Sequence, residues 1–112
     1  MNRGGGLYSW FFQRITGILL AIGILLHLLV NHFGESPVSF DSVAFRVRHL
    51  GWFIFDILLL GLCFYHGFNG LVSVIIDFNP GIKIKRGVVA VMFSLGVIIF
   101  IYGVLSLTAF RP

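Results

Sequence analysis

Apolar residues gather in three long blocks along this 112-residue chain, and two polar breaks separate them. The blocks run from Ile15 to about Phe33, from Trp52 to about Ile76, and from Val88 to about Phe110. Each is close to the ~20 mainly apolar residues that a helix needs to cross the hydrocarbon core of a bilayer. The first break, GESPVSFDSVAFRVRHL, carries Pro37 and a Ser/Asp content that ends a helix. Asp41 is the expected N-cap of a short amphipathic helix that runs to His49 along the membrane interface. In the second break, DFNPGIKIKRG, Asn79, Pro80 and Gly81 stop the helix and three basic residues follow. The pattern predicts an all-α membrane fold, a single transmembrane domain over residues 1–112 with three transmembrane helices at about 11–33, 50–77 and 87–110. The chain shows no second domain, internal repeat or low-complexity segment.

Composition agrees with lipid as the solvent. Hydrophobic residues make up 58% of the chain and charged residues only 11%, and the mean hydropathy is +1.01. A soluble domain of this size has too much surface to hide so many apolar side chains. The first apolar block follows Arg3 and Arg14 but has spanning length and no small-x-small cleavage site, so it is expected to remain as a membrane helix. Cys63, the single cysteine, has no partner for an internal disulfide.

The net charge of +4 comes from basic residues scattered between the spans, which provides no groove for nucleic acid. Arg3, Arg14, Lys83, Lys85 and Arg86 fall on one side, and Arg46, Arg48 and Arg111 on the other. The acids Glu35, Asp41 and Asp56 also lie toward the second side. The positive-inside bias therefore places the N-terminus and the second loop in the cytoplasm, with the first loop and the C-terminus outside. The expected location is the inner (cytoplasmic) membrane.

Polar groups inside the spans carry the chemistry. At about 100° per residue, His66, Gly70, Ser73 and Asp77 project from nearly one face of the second helix. His49, Trp52 and Asp56 form a second stripe near its outer end. An ionisable group within the membrane is costly and faces a partner or a cofactor. His66 fits four readings: a metal or haem ligand, a proton relay, a hydrogen-bonding partner for quinone, or a histidine satisfied by a neighbouring helix. Gly67 and Gly70 remove bulk beside the imidazole, which admits either another helix or a flat macrocycle. His27 shares a face of the first helix with Gln13, Thr16, Leu20, Gly23 and Asn31, whereas His32 stands at the outer boundary as an interfacial residue. Asp56 is expected to pair with a basic or histidine group near the outer surface. Ala90 and Ser94 make a small-xxx-small pair on the third helix.

The two histidines lie at different depths. His27 is about 8 Å from the outer end of its helix, and His66 about 21 Å from the same surface. Ligands of one iron must stand at one level, and a gap of about 13 Å separates these. For the iron-ligand reading the arithmetic favours two separate sites, each awaiting a histidine from another chain.

Five stretches, WFFQRITGILL, HLLVNH, FDSVAFR, WFIFD and HGFNGLVSVIIDF, occur in this order. They resemble the membrane-anchor cytochrome b subunits of succinate:quinone oxidoreductases (succinate dehydrogenases and fumarate reductases). The pattern is most similar to the small three-helix subunit of two-subunit, two-haem anchors. Arg14, Thr16 and Gly17, with the eleven-residue spacing from His66 to Asp77, are the most diagnostic elements. The resemblance implies a heterodimeric six-helix anchor bundle, made with a second three-helix anchor subunit and docked to an iron–sulfur subunit and a flavoprotein subunit. It implies two haem b groups shared with the partner anchor, quinone as substrate, and no dicarboxylate chemistry in this chain.

Residue by residue, the resemblance makes His66 the iron ligand of the haem nearer the cytoplasm and His27 the ligand of the outer haem. Arg14 and Asp77 match positions near the quinone site and the haem propionates. Gln13 and Trp10 are their expected quinone-pocket neighbours, and Gly70 lies beside the His66 cofactor site. Many such anchors carry a tyrosine after the aspartate, but here Phe78 stands in its place.

Overall fold

A computed structural model describes residues 6–33 and 38–111. It contains four helices and, among the described residues, no strand: α1 (Gly6–His32), α2 (Phe40–Arg48), α3 (Leu50–Asp77) and α4 (Ile82–Thr108). Three of them, α1, α3 and α4, are long and apolar enough to span a membrane. Glu35 and Pro37, expected to break the chain between the first two helices, lie outside the described residues.

The α3 boundaries coincide with the expected 50–77, whereas α1 and α4 each begin about five residues early. Hydropathy marks the stretch that lies in hydrocarbon. A helix continues past it because its backbone bonds still form at the headgroup level, where Lys and Arg extend their stems toward water. Asn79 takes φ 53°, a left-handed conformation that asparagine tolerates, and its N–H closes on the Ile76 carbonyl at 2.8 Å. Pro80 and Gly81 then turn the chain into α4.

One expectation is corrected at α2. Its N-cap is Ser39, not Asp41. Ser39 Oγ accepts from the Ser42 N–H at 3.2 Å while Ser42 Oγ accepts from the Ser39 N–H at 3.0 Å, a reciprocal box that Asp41, already inside the first turn, does not make. The helix ends at Arg48, and His49 is the residue between α2 and α3.

α3 is the middle helix, packed on α1 along one flank and α4 along the other, and α2 folds back on its first turns. Val47 is the fully buried residue of α2, and Ala44 on the same helix is buried with it. Arg111 donates to the carbonyls of Val47 (3.4 Å) and Arg48 (3.3 Å), which closes the end of α2. Its guanidinium also lies 4.7 Å over the Phe53 ring. The C-terminus is thereby tied to the α2 end of the bundle. Between α3 and α4 an apolar groove of about 500 Å³ is lined by Phe64, Phe68, Phe93 and Phe100 among others.

Candidate functional site

The side of α3 that carries His66 lies against α1, and polar groups from both helices meet there. Ser9, Gln13 and Thr16 recur at helical spacing on α1, so they present one face to α3. Ser9 Oγ donates to Asn69 Oδ1 at 2.8 Å. The Asn69 amide donates to Gln13 Oε1 at 2.8 Å and to the Ser9 carbonyl at 3.3 Å. Gln13 Nε2 donates to the His66 carbonyl at 3.1 Å. This ladder staples the two helices together in a setting where hydrocarbon supplies no competing partners.

Thr16, only 7% exposed, decides the state of the His66 ring. Its hydroxyl has one proton, and the short 2.6 Å contact to the Phe12 carbonyl uses it. Toward His66 Nδ1, 3.1 Å away, the same oxygen is therefore the acceptor. This geometry accommodates the Nδ1–H tautomer, in which Nε2 keeps its lone pair. Among the described residues Nε2 has no hydrogen-bond partner, and it is not among the sealed, unpartnered side-chain atoms, which are His27 Nδ1 and Arg46 Nε. Gly17 lets the ring lie close to α1: a Cβ there would sit 3.1 Å from His66 Cε1.

The other residues expected near this end are distributed as follows. Gly70 faces α1, and a Cβ there would stand 2.9 Å from Gln13 Nε2, so its space is taken by the glutamine amide. Gly67 has nothing within 4 Å of a Cβ position. Arg14 stacks its guanidinium 4.0 Å over the Trp10 ring on the exposed side of α1. Ser73 and Asp77 are exposed, and Ser73 bonds only the Asn69 carbonyl of its own helix. Phe78 is exposed and offers no hydroxyl.

A second polar cluster lies toward the α2 end. Arg46 of α2 holds Asp56 of α3 through one guanidinium nitrogen, at 3.0 and 3.2 Å from the two carboxylate oxygens. Asp56 is 7% exposed, so the pair is nearly dry. His27 of α1 brings Nδ1 to 3.6 Å from Asp56 Oδ1. The expected pairing of Asp56 with a basic or histidine group is thus realised with Arg46, and His27 stands beside the pair. Trp52 lies beneath the Arg46 guanidinium at 5.7 Å. His49, expected on the same stripe, instead packs edge-on against Phe45 and is exposed. His32 is exposed at the end of α1.

Because His66 lies beside Thr16 and Gly17, and His27 is ten or eleven residues farther along α1, the two imidazoles differ in level by about 15–17 Å. Among the described residues no three of His, Cys, Asp and Glu converge. The chain offers single imidazoles at two depths. Ser9 and Asn69 were not anticipated as parts of the site. The spacing of Ser9 to Gln13 and Thr16, and the place of Asn69 one turn from His66, was the signal that could have found them.

A family model described as the succinate dehydrogenase/fumarate reductase transmembrane subunit matches residues 2–108. The chain belongs to this family. Among curated proteins, it is 32% identical over 100 residues to the succinate dehydrogenase hydrophobic membrane anchor subunit of Thermoplasma acidophilum, covering 88% of this chain and 81% of the relative. The protein of the same name from Archaeoglobus fulgidus is 31% identical over 97 residues, with 85% and 82% covered. That of Coxiella burnetii is 26% identical over 102 residues, with 88% and 85% covered. No solved structure matches the chain. For a succinate dehydrogenase/fumarate reductase transmembrane subunit, three apolar helices with a polar seam between two of them is a coherent architecture.

Proposed function

We propose that this chain anchors a succinate dehydrogenase or fumarate reductase in the membrane, holds haem b at two levels, and contributes to electron transfer between the iron–sulfur subunit and quinone. The observation that carries the reading is the His66 ring, whose Nδ1 meets the Thr16 hydroxyl at 3.1 Å while Nε2 has no partner among the described residues and is left to ligate. At the other level His27 has Nδ1 turned inward, 3.6 Å from Asp56 Oδ1. The donor set suits haem b, because a neutral imidazole is a ligand for haem iron. Bound haem b would supply one-electron transfer.

Each residue has a task of its own. Thr16 and Gly17 fix the His66 ring against α1. Gln13 and Asn69 hold α1 and α3 in register, so the imidazole keeps one orientation. Arg14, stacked on Trp10, holds a permanent cation at the membrane boundary, suited to a propionate or a quinone oxygen. Asp77 ends α3 on that side as an exposed carboxylate. Gln13 reaches a quinone only by giving up bonds within the seam, and Phe78 has no phenol to offer. The remaining quinone donors are assigned to the partner anchor or the iron–sulfur subunit.

The flavoprotein and iron–sulfur subunits dock on the cytoplasmic end, where the start of α4 carries Lys83, Lys85 and Arg86. A second three-helix anchor supplies the opposing ligand at each level. This chain has too few polar residues to bind and orient a dicarboxylate.

A haem-free scaffold is the competing reading, and the Thr16–His66 bond, which satisfies one ring nitrogen within the bundle, is what favours it. A pyridine haemochrome assay on the purified assembly separates the two. His66→Ala is expected to remove one haem and His27→Ala the other, while the complex still purifies with its flavin-bearing subunit. Unchanged haem content in both variants rejects the proposal.

A further inference from the structure

His27 Nδ1 is buried and has no hydrogen-bond partner, yet the His27 side chain is 39% exposed. The exposure therefore falls on the opposite edge of the ring, where Nε2 lies. The group nearest in kind to an acceptor for Nδ1 is Asp56 Oδ1 at 3.6 Å, beyond a true hydrogen bond by a few tenths of an ångström. Asp56 is not free to turn away. Arg46 spans both of its oxygens, and that arginine is itself 11% exposed, wedged between α2 and α3. Three elements thus converge on one carboxylate, and its remaining acceptor capacity faces the imidazole.

We propose that Asp56 is a positioning residue for His27: its carboxylate accepts a hydrogen bond from Nδ1–H, sets the ring so that Nε2 faces out of the bundle, and makes that nitrogen more electron-rich. A carboxylate does this more strongly than the neutral hydroxyl that Thr16 offers His66. Arg46 holds the carboxylate in place, and α2 is the strut that delivers Arg46. The amphipathic helix, which otherwise reads as an interfacial ornament, thereby tunes a ligand on another helix. The inference rests on the proposed function, because it concerns the ligand strength of His27 toward haem iron.

The test uses the whole complex, purified from membranes, with haem counted by pyridine haemochrome and midpoint potentials read by redox titration of the haem absorbance. Asp56→Asn removes the carboxylate charge. The double variant Arg46→Met/Asp56→Leu removes the pair as a unit, leaves no buried charge stranded, and keeps the local net charge unchanged. A weaker acceptor at Nδ1 makes a less electron-donating imidazole and favours the reduced iron. Both variants are expected to move one haem midpoint to more positive potential and leave the other in place. The charge-neutral double variant separates the lost acceptor from a long-range charge effect.

If the double variant keeps both haems and neither midpoint moves, the inference is overturned. If either variant loses one haem, Asp56→Glu decides: haem retained with the longer carboxylate supports positioning, and haem lost there too overturns it. A wild-type complex without haem sinks the proposed function itself, a result distinct from two haems with unmoved potentials.

Discussion

Replacing Thr16 by valine isolates the contact that sets the His66 tautomer. The side chains have the same branched shape, so the helix seam keeps its packing and only the hydroxyl is lost. In the native protein that oxygen is 3.1 Å from His66 Nδ1 and spends its own proton on the Phe12 carbonyl at 2.6 Å. Without it the Nδ1–H faces an apolar wall, and leaving a buried donor unpaired costs about 1–3 kcal/mol. The ring can recover that energy by moving its proton to Nε2, the nitrogen proposed to ligate. A penalty of this size corresponds to a population shift of about 5- to 150-fold against the binding tautomer. The assay is haem retention by the detergent-solubilised complex during dilution and competition with a haem-binding acceptor. Thr16→Val is expected to lose one haem at least fivefold more readily, the other remaining in place, and Thr16→Ser is expected to restore retention. Native retention in the valine variant would refute the tautomer argument.

Three further outcomes follow from the packing. Gly70→Ala places a Cβ 2.9 Å from Gln13 Nε2, and is expected to cost about 1–3 kcal/mol because the amide cannot move without giving up its bonds; combining it with Gln13→Ala should give a markedly non-additive change in melting temperature. Gly96→Ala is expected to destabilise α3–α4 packing by a similar ~1–3 kcal/mol, since the Phe68 ring 3.0 Å away is stacked on Phe64, whereas Gly103→Ala meets only the flexible end of Leu60 and should be milder in the same melt. Arg46→Ala strands Asp56 in a dry setting and should cost about 3–5 kcal/mol, read as faster proteolysis at the α2 end of the assembled complex; protection equal to wild type would argue that the pair is not structural.

The helix interiors were legible because spanning a bilayer demands a composition that nothing else in a small chain requires. Their ends were less so, since hydropathy stops reporting where hydrocarbon stops, and Leu7 to Arg14 continue as helix beyond it. Ser39 and Asp41 both have capping side chains, and only the folded turn shows which oxygen reaches the third amide. Histidines stood out as costly intramembrane groups, and the acceptor role of Asp56 followed from the same reasoning. Its partner Arg46 read as a topology charge, because ten residues and a helix turn separate the two and only the fold-back of α2 joins them. Ser9 and Asn69 escaped notice because neither is ionisable, although both are placed by the same periodicity that marked Gln13.

In lipid the apolar side chains of α1, α3 and α4 gain little by turning toward each other, so the bundle is held by what hydrocarbon cannot satisfy. The buried set reflects that: Thr16 and Asp56 are buried as deeply as Leu20 and Leu59, and each faces the Nδ1 edge of a histidine. The Nδ1 edge of each imidazole is thereby turned into the chain, bonded to Thr16 at His66 and 3.6 Å from Asp56 at His27, and the other edge is turned outward. Under the proposed function this division explains why a subunit so small can both fold and remain a half-site. The bond that stabilises the chain is the one that frees Nε2, and an anchor that satisfied both nitrogens internally would hold together equally well and bind nothing.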